Sequence, residues 1–573
     1  MDKNKNLTIQ EIFGRAVKNH QEGKTDIAQD LYNQILKIDP NHEFTLNNLG
    51  ALYKKLVQIQ KAKKCFEKAI KINPNYVDAH NNLGLIFKDL QENQKAKECY
   101  EKAIKINPSF AKAHYNLGAL YKKLVQIQKA KDCFEQAIAI NPSYVDAHNN
   151  LGNIFKELGE HQKAIGCYEQ AIAIDPNYVK ALNNLGVVFQ ELSDLQKTKE
   201  CYEKVIEIKP NYAEAHYNLG VIFKELDENQ KAKSCYEKAI KINPNYTNAY
   251  FNLGAIFQEL SDLQKAKDCY EQAIEIDPNH ANAYNNLGVI LHDLRESQKA
   301  KSCYEKAISI DPNFINARWN SHTLALDTDE ALSILKRLYK IDNKDIKSKI
   351  MIGALEGFKG NLNEVDDLLK SSEANHPHTR SVKWVFSLPK LPKIFFNRWD
   401  FFHAVIALSD NSRPFYEFGV WAGVSFRYLI KNFKKGFGFD TFTGLPEDWH
   451  NEKEGAYSNL GVIPKIEGGE FIAGKFEDTL PEFFSKERPM ASLINLDADL
   501  YSSTLCALNY SNKVIDGKTI LIFDELIMNK NWEEDEFKAL NEFCDKQGYS
   551  YEVLAVSFAS KQVAVRLNKF ISN

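Results

Sequence analysis

The C-terminal third of the sequence carries three carboxylates whose positions could hold a hard cation. Asp497 ends one predicted strand, and Asp524 and Glu525 end another. The carboxyl ends of neighbouring parallel strands meet at one edge of a sheet. Carboxylates held that close repel one another unless a cation joins them, and oxygen-rich sites select Mg²⁺. The alternative is that Asp497 and Asp499 cap the following helix and that Asp524 is solvated.

A glycine-containing turn lies upstream of these acids, from Glu417 to Ser425 (EFGVWAGVS). Gly419 and Gly423 let a backbone approach a ligand, and the N-terminus of the helix that follows is electropositive. About 20 residues later Asp440 ends the next predicted strand, where an acid can accept from two ribose hydroxyls. The pattern is typical of nucleotide binding. The turn nevertheless departs from the GxGxxG of dinucleotide-binding dehydrogenases.

Strands and helices alternate through this part of the chain, which predicts an α/β domain with a parallel sheet and ligands at the carboxyl ends of its strands. The last two predicted strands follow the last helix and form a hairpin-like edge, which also argues against a dehydrogenase. The predicted strands are 414–420, 436–442, 471–474, 491–497, 518–524, 549–556 and 561–567, and the predicted helices are 478–486, 503–514 and 532–547.

The domain resembles class I S-adenosylmethionine-dependent methyltransferases, with their Rossmann-like fold, and more narrowly the macrocin O-methyltransferase family. The resemblance covers roughly residues 395–567 of a domain predicted over 395–573, and is carried by EFGVWAGVS, FDTFTGLPEDW, GKFEDTLPEFF, NLDADLYSST and IFDEL. It implies S-adenosylmethionine as cofactor, with Mg²⁺. It also implies roles for individual residues: Glu417, Gly419 and Gly423 at the methionine end, Asp440 at the ribose, Asp478 at the adenine, and Asp497, Asp524 and Glu525 as metal ligands.

The implied reaction is transfer of the sulfonium methyl group in an in-line displacement. A metal would acidify a vicinal hydroxyl of the acceptor, and a base would take its proton. His450, in the long loop 443–465, is the candidate base, although a loop histidine is more often a surface residue.

Residues 43–314 repeat one segment with a period of 34 residues and no insertion. A fixed period of this length indicates a solenoid of stacked units. In one repeat, the apolar residues of 77–90 lie on one face of a first helix, and those of 96–104 face inward from a second. Gly84, Ala96 and Ala103 mark where the two helices approach closely.

This region resembles the tetratricopeptide repeat in motif and period, and is predicted to form an all-α superhelix. Residues 1–42 are interpreted as a degenerate first repeat, 43–314 as eight repeats, 315–380 as eroded repeats that cap the stack, and 381–394 as a linker. The proline-rich stretch 376–393 is expected to be a poor helix that marks the boundary.

One asparagine recurs two residues before each repeat glycine, at a position that faces the concave groove of the tetratricopeptide fold. An amide offers a donor and an acceptor together, so such a ladder can bind an extended peptide backbone. It resembles the ladder of O-linked N-acetylglucosamine transferases. The alternative is that each asparagine satisfies a neighbouring backbone group between repeats. The predicted peptide-binding residues are Asn48, Asn82, Asn116, Asn150, Asn184, Asn218, Asn252 and Asn286.

Composition narrows the class of protein. A net charge of −3 gives no global field for nucleic acid or an anionic membrane, and no apolar run is long enough to cross a bilayer. Eight of the ten cysteines hold one place in successive repeats, too far apart for disulfides, which suits a reducing compartment. We expect a cytoplasmic protein that binds neither nucleic acid nor membrane.

The leading hypothesis is a methyltransferase acting on a sugar or another hydroxylated small molecule, with the repeats binding a protein or peptide. A second is a non-catalytic scaffold whose methyltransferase domain is degenerate. A third, a glycosyltransferase, is prompted by the asparagine ladder, but about 190 residues are too few for a two-domain sugar-nucleotide enzyme.

Overall fold

The computed structural model describes residues 8–447, 454–455, 458 and 461–569. The chain divides into two compact units, Met1–Pro244 and Asn245–Asn573.

The first unit consists of antiparallel helix pairs that follow the predicted period, since first helices begin at residues 43, 77, 111, 145, 179 and 213. Its helices are α1 (Ile9–Gln21), α2 (Thr25–Ile38), α3 (Glu43–Lys55), α4 (Ile59–Ile72), α5 (Val77–Asp89), α6 (Asn93–Ile106), α7 (Ala111–Lys123), α8 (Ile127–Ile140), α9 (Val145–Glu157), α10 (His161–Ile174), α11 (Val179–Glu191), α12 (Leu195–Ile208), α13 (Ala213–Glu225) and α14 (Asn229–Ile242).

Close contact between the helices of a pair explains the recurring glycine. A Cβ atom at Gly84 would lie 2.5 Å from the Tyr100 ring, which is fully buried in the facing helix. Ala96 and Ala103 are also fully buried. The same aromatic position recurs every 34 residues through both units, as Tyr32, Phe66, Tyr100, Phe134, Tyr168, Tyr202, Tyr236, Tyr270 and Tyr304.

The second unit begins with two more pairs of this kind, α15 (Thr247–Glu259) with α16 (Leu263–Ile276) and α17 (Ala281–Asp293) with α18 (Ser297–Ile310). The next helix, α19 (Ile315–His322), begins on the period, 34 residues after the start of α17, but has only 8 residues. The helices after it depart from the period: α20 (Thr328–Ile341), α21 (Ile346–Phe358), α22 (Leu362–Lys370) and α23 (Pro377–Phe386).

The expectation of a poor helix over 376–393 is wrong for Pro377–Phe386, which is helical. His376 caps the helix and Pro377 occupies its first turn, where a missing N–H costs nothing. The predicted linker 381–394 also belongs to the folded domain. Val382 and Val385 are fully buried, and Lys393–Ile394 pairs with a sheet strand.

The C-terminal domain is built on a mixed, mostly parallel sheet of eight strands, in the order β1-β7-β8-β6-β5-β2-β3-β4. Only β8 is antiparallel to its neighbours β6 and β7, so the predicted closing hairpin is confirmed. The strands are β1 (Lys393–Ile394), β2 (Phe415–Phe418), β3 (Gly436–Asp440), β4 (Gly469–Ala473), β5 (Leu493–Leu496), β6 (Ile520–Phe523), β7 (Tyr549–Ser557) and β8 (Gln562–Lys569).

Each sheet face is covered by helices because alternate strand residues are apolar on both sides. Tyr416 and Phe418 pack in one apolar cluster with residues of α20–α23, of α26 (Phe476–Phe483) and of α28 (Glu536–Gln547). Phe415 packs in another cluster with residues of α24 (Arg398–Ala407) and α25 (Val424–Leu429). The helices of this domain are α24 (Arg398–Ala407), α25 (Val424–Leu429), α26 (Phe476–Phe483), α27 (Tyr501–Ser511) and α28 (Glu536–Gln547), with single 3₁₀ turns at Asn512–Val514 and Trp532–Glu534.

The last full repeat contacts the α/β domain within the second unit. The indole nitrogen of Trp399 donates to the carbonyl of His292 at 3.1 Å, and the Asn397 amide donates to the carbonyl of Thr323 at 3.0 Å. The Arg295 guanidinium lies 4.6 Å from the centroid of the Tyr428 ring. Thus α24 and α25 both contact the repeat helix α17 or the turn after it.

Candidate functional site

A cavity of about 260 Å³ lies at the carboxyl ends of the parallel strands. Strand β2 sits between β3 and β5, so the strand order reverses direction there. Open parallel sheets bind ligands in the crevice at such a switch point. The polar and charged residues lining the cavity are Arg398, Asp440, Thr441, Lys475, Glu477, Asp497, Asp499, Ser503, Asp524 and Glu525.

Gly419 lines the cavity where β2 and β5 come closest. Its φ is +89°, and a Cβ atom there would lie 1.7 Å from the carbonyl oxygen of Asp497. The glycine is therefore required by the neighbouring backbone, in addition to any ligand. The sequence predicted a close approach of the backbone to a ligand at Gly419; the close approach in the structure is to the end of another strand, and the ligand contact stays a prediction.

Asp440 lines the cavity at the end of β3, as expected for a ribose-binding acid. Its Oδ2 accepts from the backbone amides of Val420 and Trp421, both at 2.7 Å, and its Oδ1 accepts from that of Phe442 at 2.6 Å. The carboxylate thus fixes the β2–α25 turn. A contact between Asp440 and a ribose stays a prediction. It would use the lone pairs of the carboxylate that the three backbone amides leave free.

Glu417, Gly423 and Asp478 do not line the cavity. Glu417 is fully buried beneath it, where Oε1 accepts from the Ser425 hydroxyl and, at 3.0 Å, from the Asn495 amide. Burial raises the pKa of Glu417 to about 8. Gly423, with φ +74°, is the N-cap of α25, and Asp478 is exposed on α26.

The neighbours of Asp478 occupy the place predicted for that residue. Lys475, Phe476 and Glu477 line the cavity, because α26 begins just after β4 ends and turns its first residues toward the crevice. The sequence signal was the motif GKFEDTLPEFF itself. The segment that the resemblance identified borders the cavity, but Glu477 lines it in place of Asp478, and an adenine contact stays a prediction.

The three predicted metal ligands do lie together on the cavity wall. Burial raises the pKa of Asp497 well above its ordinary value, and the nearby Asp524 and Asp499 raise it further. Asp524 is also buried, whereas Glu525 is partly exposed. The excess of carboxyl groups expected from the sequence is therefore present, and the raised pKa means that Asp497 favours its protonated form while no cation is bound.

Two carboxylates of this cluster have cationic partners that sequence reasoning missed. Arg398 Nη2 lies 2.6 Å from Asp524 Oδ2, and Lys561 Nζ lies 2.7 Å from Glu525 Oε1. The Gln562 amide donates to the other oxygen of Asp524. No local signal could have identified these partners, since Arg398 is 126 residues from Asp524 in sequence.

Two further acids belong to the cluster. Burial raises the pKa of Asp499 to about 8, and Glu525 and Asp524 add to that rise. Burial also raises the pKa of Glu536 well above its ordinary value, and this residue accepts from the Glu525 amide at 3.2 Å. The N-cap of α27 is Leu500, with no side-chain hydrogen bond at the cap, so Asp499 is not the helix cap considered above. Its φ of +58° places its backbone in the left-handed region.

In this arrangement the residues do not fit the predicted magnesium site. Among the described residues, no group of three or more His, Cys, Asp or Glu side chains is arranged to hold a metal ion. Both oxygens of Asp524 already have donors, and Glu525 is paired with Lys561. We derive no step through a metal. His450, the predicted base, lies outside the described residues.

The asparagine ladder makes side-chain hydrogen bonds between repeats. Asn82 donates to Asn47 at 3.0 Å, and Asn116 donates to Asn81 at 2.8 Å, each reaching 35 residues back. Asn184 donates to both Asn149 and Asn153. This resembles the inter-repeat alternative, although the acceptors are side chains and not backbone groups. All eight ladder residues are half-buried, and their peptide-binding role stays a prediction.

The repeat cysteines are all free thiols, as predicted. Burial raises the pKa of Cys99 and Cys201 to about 12, so these thiols stay protonated at neutral pH. They serve as small apolar residues. In the described part of the chain, no helix is long and apolar enough to cross a membrane.

Comparison with known families assigns the repeats. Models of the tetratricopeptide repeat match 44–76, 65–98, 85–125, 111–144, 133–166, 152–193, 179–212, 213–246 and 247–313. Residues 44–313 are a tetratricopeptide repeat array. The C-terminal α/β domain has no family assignment.

The three similar proteins described next each match part of the chain, and the two solved structures among them have low TM-scores. "Uncharacterized protein ycf37" of Pyropia yezoensis is 35% identical over 48 residues, which are 8% of this chain and 27% of that protein. The structure of YrrB, described as a TPR protein with an unusual peptide-binding site, is 26% identical, covering 32% of this chain and 95% of that chain with a TM-score of 0.29. Yeast Tom70 is 15% identical, covering 66% and 96%, with a TM-score of 0.31.

Proposed function

We propose that the C-terminal domain is an S-adenosylmethionine-dependent O-methyltransferase that acts on a sugar or another hydroxylated small molecule. We further propose that the tetratricopeptide array binds a protein or peptide partner. The observation that carries the enzymatic proposal is the charge of the cavity. Asp440, Glu477, Asp497, Asp499, Asp524 and Glu525 face it, against Arg398 and Lys475.

This imbalance favours a cationic ligand. A buried carboxylate without a partner is costly, so a positive charge that enters the cavity is attracted to Asp497 and Asp499. When bound, S-adenosylmethionine supplies a methyl group on a positively charged sulfur. The residues present fit that cofactor by charge, and Trp421, Leu445 and Phe476 add apolar surface on which a purine base can pack.

Topology supports the same proposal. The strand order has β2 flanked by β3 and β5, as in doubly wound nucleotide-binding sheets, whose order is 3-2-1-4-5-6. The sheet differs from that order because the antiparallel β8 is inserted between β6 and β7. The insertion separates this domain from dehydrogenases and agrees with the methyltransferase resemblance of its motifs.

The described residues include a candidate base that could take the proton of the acceptor hydroxyl. Asp499 faces the cavity, and its pKa of about 8 lets its ionised form accept a proton near neutral pH. Ser503 also lines the cavity and can orient a hydroxyl by hydrogen bonding. Arg398 would hold Asp524 in place during this step.

Calorimetric titration with S-adenosylmethionine tests the proposal. We expect binding to the wild-type protein and at least a tenfold loss of affinity in Asp497→Asn, which removes one attractive charge. Asp545→Asn, a substitution at an exposed residue of α28, is the control. Absence of heat with the wild-type protein would overturn the enzymatic proposal. Repeating the titration with and without Mg²⁺ tests the magnesium prediction.

A non-catalytic scaffold is the second candidate, and one observation favours it. The acids of the cavity are largely satisfied from within the protein: Asp440 by three backbone amides, Asp524 by Arg398 and Gln562, and Glu525 by Lys561. A binding-competent protein that shows no methyl transfer to any polyhydroxylated compound in a panel would support this function.

The partner proposal for the array is tested separately. A library of random 15-residue peptides displayed on phage would be selected on the immobilised full-length protein. We expect selected peptides to bind less well to a variant carrying Asn150→Ala and Asn184→Ala. Selection of no peptide, or of peptides that bind this variant as tightly as the wild type, would contradict groove binding through the ladder.

A further inference from the structure

The first residue after the start of five successive first helices alternates in charge. The order is acidic, basic, acidic, basic, acidic, and the residues are Asp78, Lys112, Asp146, Lys180 and Glu214, each 34 residues after the last. We call this set the charge ladder. The corresponding residues of the next two repeats, Asn248 and Asn282, are uncharged, so the ladder lies wholly within the first unit.

The two lysines of the ladder do not hold the array together. Lys112 and Lys180 are exposed, and within the described residues neither has an ion-pair or hydrogen-bond partner. Other lysines of the array differ in this respect. Lys54 pairs with Asp89 of the next repeat at 3.4 Å, and Lys122 pairs with Glu157 at 3.0 Å. The two ladder lysines are therefore available to a partner.

Two of the three acids of the ladder accept hydrogen bonds from tyrosines. The Tyr178 hydroxyl donates to Asp146 at 2.6 Å, and the Tyr212 hydroxyl donates to Glu214 at 2.9 Å. Asp146, Lys180 and Glu214 all line one polar cavity of about 380 Å³, together with ladder asparagines such as Asn184. Alternating charge and amide groups thus share one surface.

The spacing of the ladder matches an extended chain. Among the ladder helices, α5 contacts α7 and α9 contacts α11, and packed helices lie about 8–10 Å apart. An extended peptide advances about 3.3 Å per residue, so three residues span about one repeat. A complementary peptide therefore carries a charge at every third residue, with the sign alternating.

We propose that the charge ladder selects an extended peptide segment whose basic and acidic residues alternate at every third position. The inference rests on the proposed peptide-binding function of the array and adds the class of its partner. The amides contact the peptide backbone whatever its sequence, and the ladder reads the order of charges. A simpler role for the alternation is to relieve repulsion between repeats, and it would leave peptide preference unaffected.

Binding of two synthetic peptides to the full-length protein tests the proposal. The first has Lys at positions 1, 7 and 13, Glu at 4 and 10, and Ser, Gly or Asn elsewhere, so its pattern reads the same in both directions. The second has the same composition with Lys at 1, 4 and 7 and Glu at 10 and 13. We expect the first to bind at least about tenfold more tightly, because the second places like charges at two of the five ladder positions in either orientation, with the difference shrinking as salt rises.

Charge reversal supplies a gain-of-binding readout that loss of folding cannot imitate. The variant Lys112→Glu with Lys180→Glu makes all five ladder positions acidic. It should lose its preference for the first peptide and bind a third, with Lys at positions 1, 4, 7, 10 and 13, at least about tenfold more tightly than the wild type does. Lys68→Glu with Lys102→Glu, exposed on second helices, changes net charge equally and should keep the wild-type preference.

Equal binding of the first two peptides would overturn the charge-order inference while leaving groove binding intact. Absence of binding by both would also overturn it, whereas the phage selection decides separately whether the array binds peptides at all. A reversed variant that is less stable but keeps the wild-type preference would assign the alternation to repulsion between repeats.

Discussion

At the scale of single residues, the candidate site depends on the close approach of two strand ends and on an excess of carboxyl groups over cationic groups. Gly419 allows two strand ends to meet, Asp440 fixes the turn beside them, and the acids of the cavity exceed its cations. For each feature, a substitution at one position is expected to have a measurable effect on stability. The neighbouring atoms cannot relax without moving the backbone or leaving a buried charge without a partner.

Gly419→Ala is expected to destabilise the α/β domain by more than about 3 kcal/mol, because the new Cβ atom would meet the Asp497 backbone at a positive φ. Denaturant unfolding followed by tryptophan fluorescence measures the change. Gly517→Ala is the control, since no heavy atom lies within 4 Å of the added Cβ. Equal unfolding midpoints for the two variants would contradict the close approach.

The pH dependence of stability should change in Glu417→Gln. Burial raises the folded-state pKa of Glu417 from 4.5 to about 8, so between these values the folded protein binds the extra proton. The stability from this group is present below pH 4.5 and is lost as the pH rises through 8. Thermal denaturation from pH 5 to 9 should therefore show a steeper fall for the wild type than for the variant. Parallel curves would contradict the shift.

Arg398→Gln leaves the buried Asp524 without its cation; because the Arg398 side chain is 35% exposed, we expect a loss of roughly 1–3 kcal/mol. We expect a lower melting temperature for this variant, and we expect millimolar Mg²⁺ to recover part of the loss by replacing the missing charge. Arg413→Gln, which breaks the pair with Asp516 elsewhere in the domain, is the control. A wild-type protein stabilised by Mg²⁺ as strongly as the variant would show that Arg398 does not take the place of a metal.

At the scale of elements, the repeats are joined by their glycines and by their asparagines. A glycine lets the two helices of a pair approach, and an asparagine bonds a first helix to the one before it. The ladder residues therefore have a structural role whether or not they contact a peptide.

Asn184→Ala should reduce the stability of the array by roughly 2 kcal/mol, since it removes hydrogen bonds to Asn149 and Asn153 at about 1 kcal/mol each. Urea unfolding followed by circular dichroism at 222 nm measures the loss. Asn177→Ala replaces an exposed asparagine seven residues earlier and should change stability by less than about 0.5 kcal/mol. An unchanged midpoint for Asn184→Ala would mean that the inter-repeat bonds contribute nothing.

At the scale of the molecule, the second unit combines the last repeats with the α/β domain. Consecutive residues of α24 and its cap face different partners: Asn397 and Trp399 bond to the repeats, and Arg398 bonds to Asp524 in the cavity wall. Arg398, which lines the cavity, is therefore held by a segment whose neighbouring residues bond to the repeat region.

Trp399→Phe removes the hydrogen bond to His292 while keeping an aromatic ring. We expect amide hydrogen exchange in residues 281–293 to become severalfold faster, because the end of α17 loses an anchor. Mass spectrometry of the exchanged protein measures this effect. Trp421→Phe, at the cavity and away from α17, should leave the same amides unchanged. Faster exchange in both variants would indicate general loosening instead.

The sequence by itself determined the repeats and most of the strands. The 34-residue period, the buried alanines and the close glycines follow from local helical spacing, so each could be predicted from a short segment. The segments ending at Asp440, Asp497 and Asp524 were correct for the same reason, because parallel strands bring their carboxyl ends together.

Only the tertiary structure decided what surrounds those residues. Arg398 and Lys561 reach the predicted metal ligands across 126 and 36 residues of sequence, and the bonds of Asn82 and Asn116 in the asparagine ladder each span 35. Pro377–Phe386 is a helix because its apolar face packs on the domain, which its prolines could not reveal. Such partners are fixed by the packing of distant elements, and no local pattern of residue types encodes them.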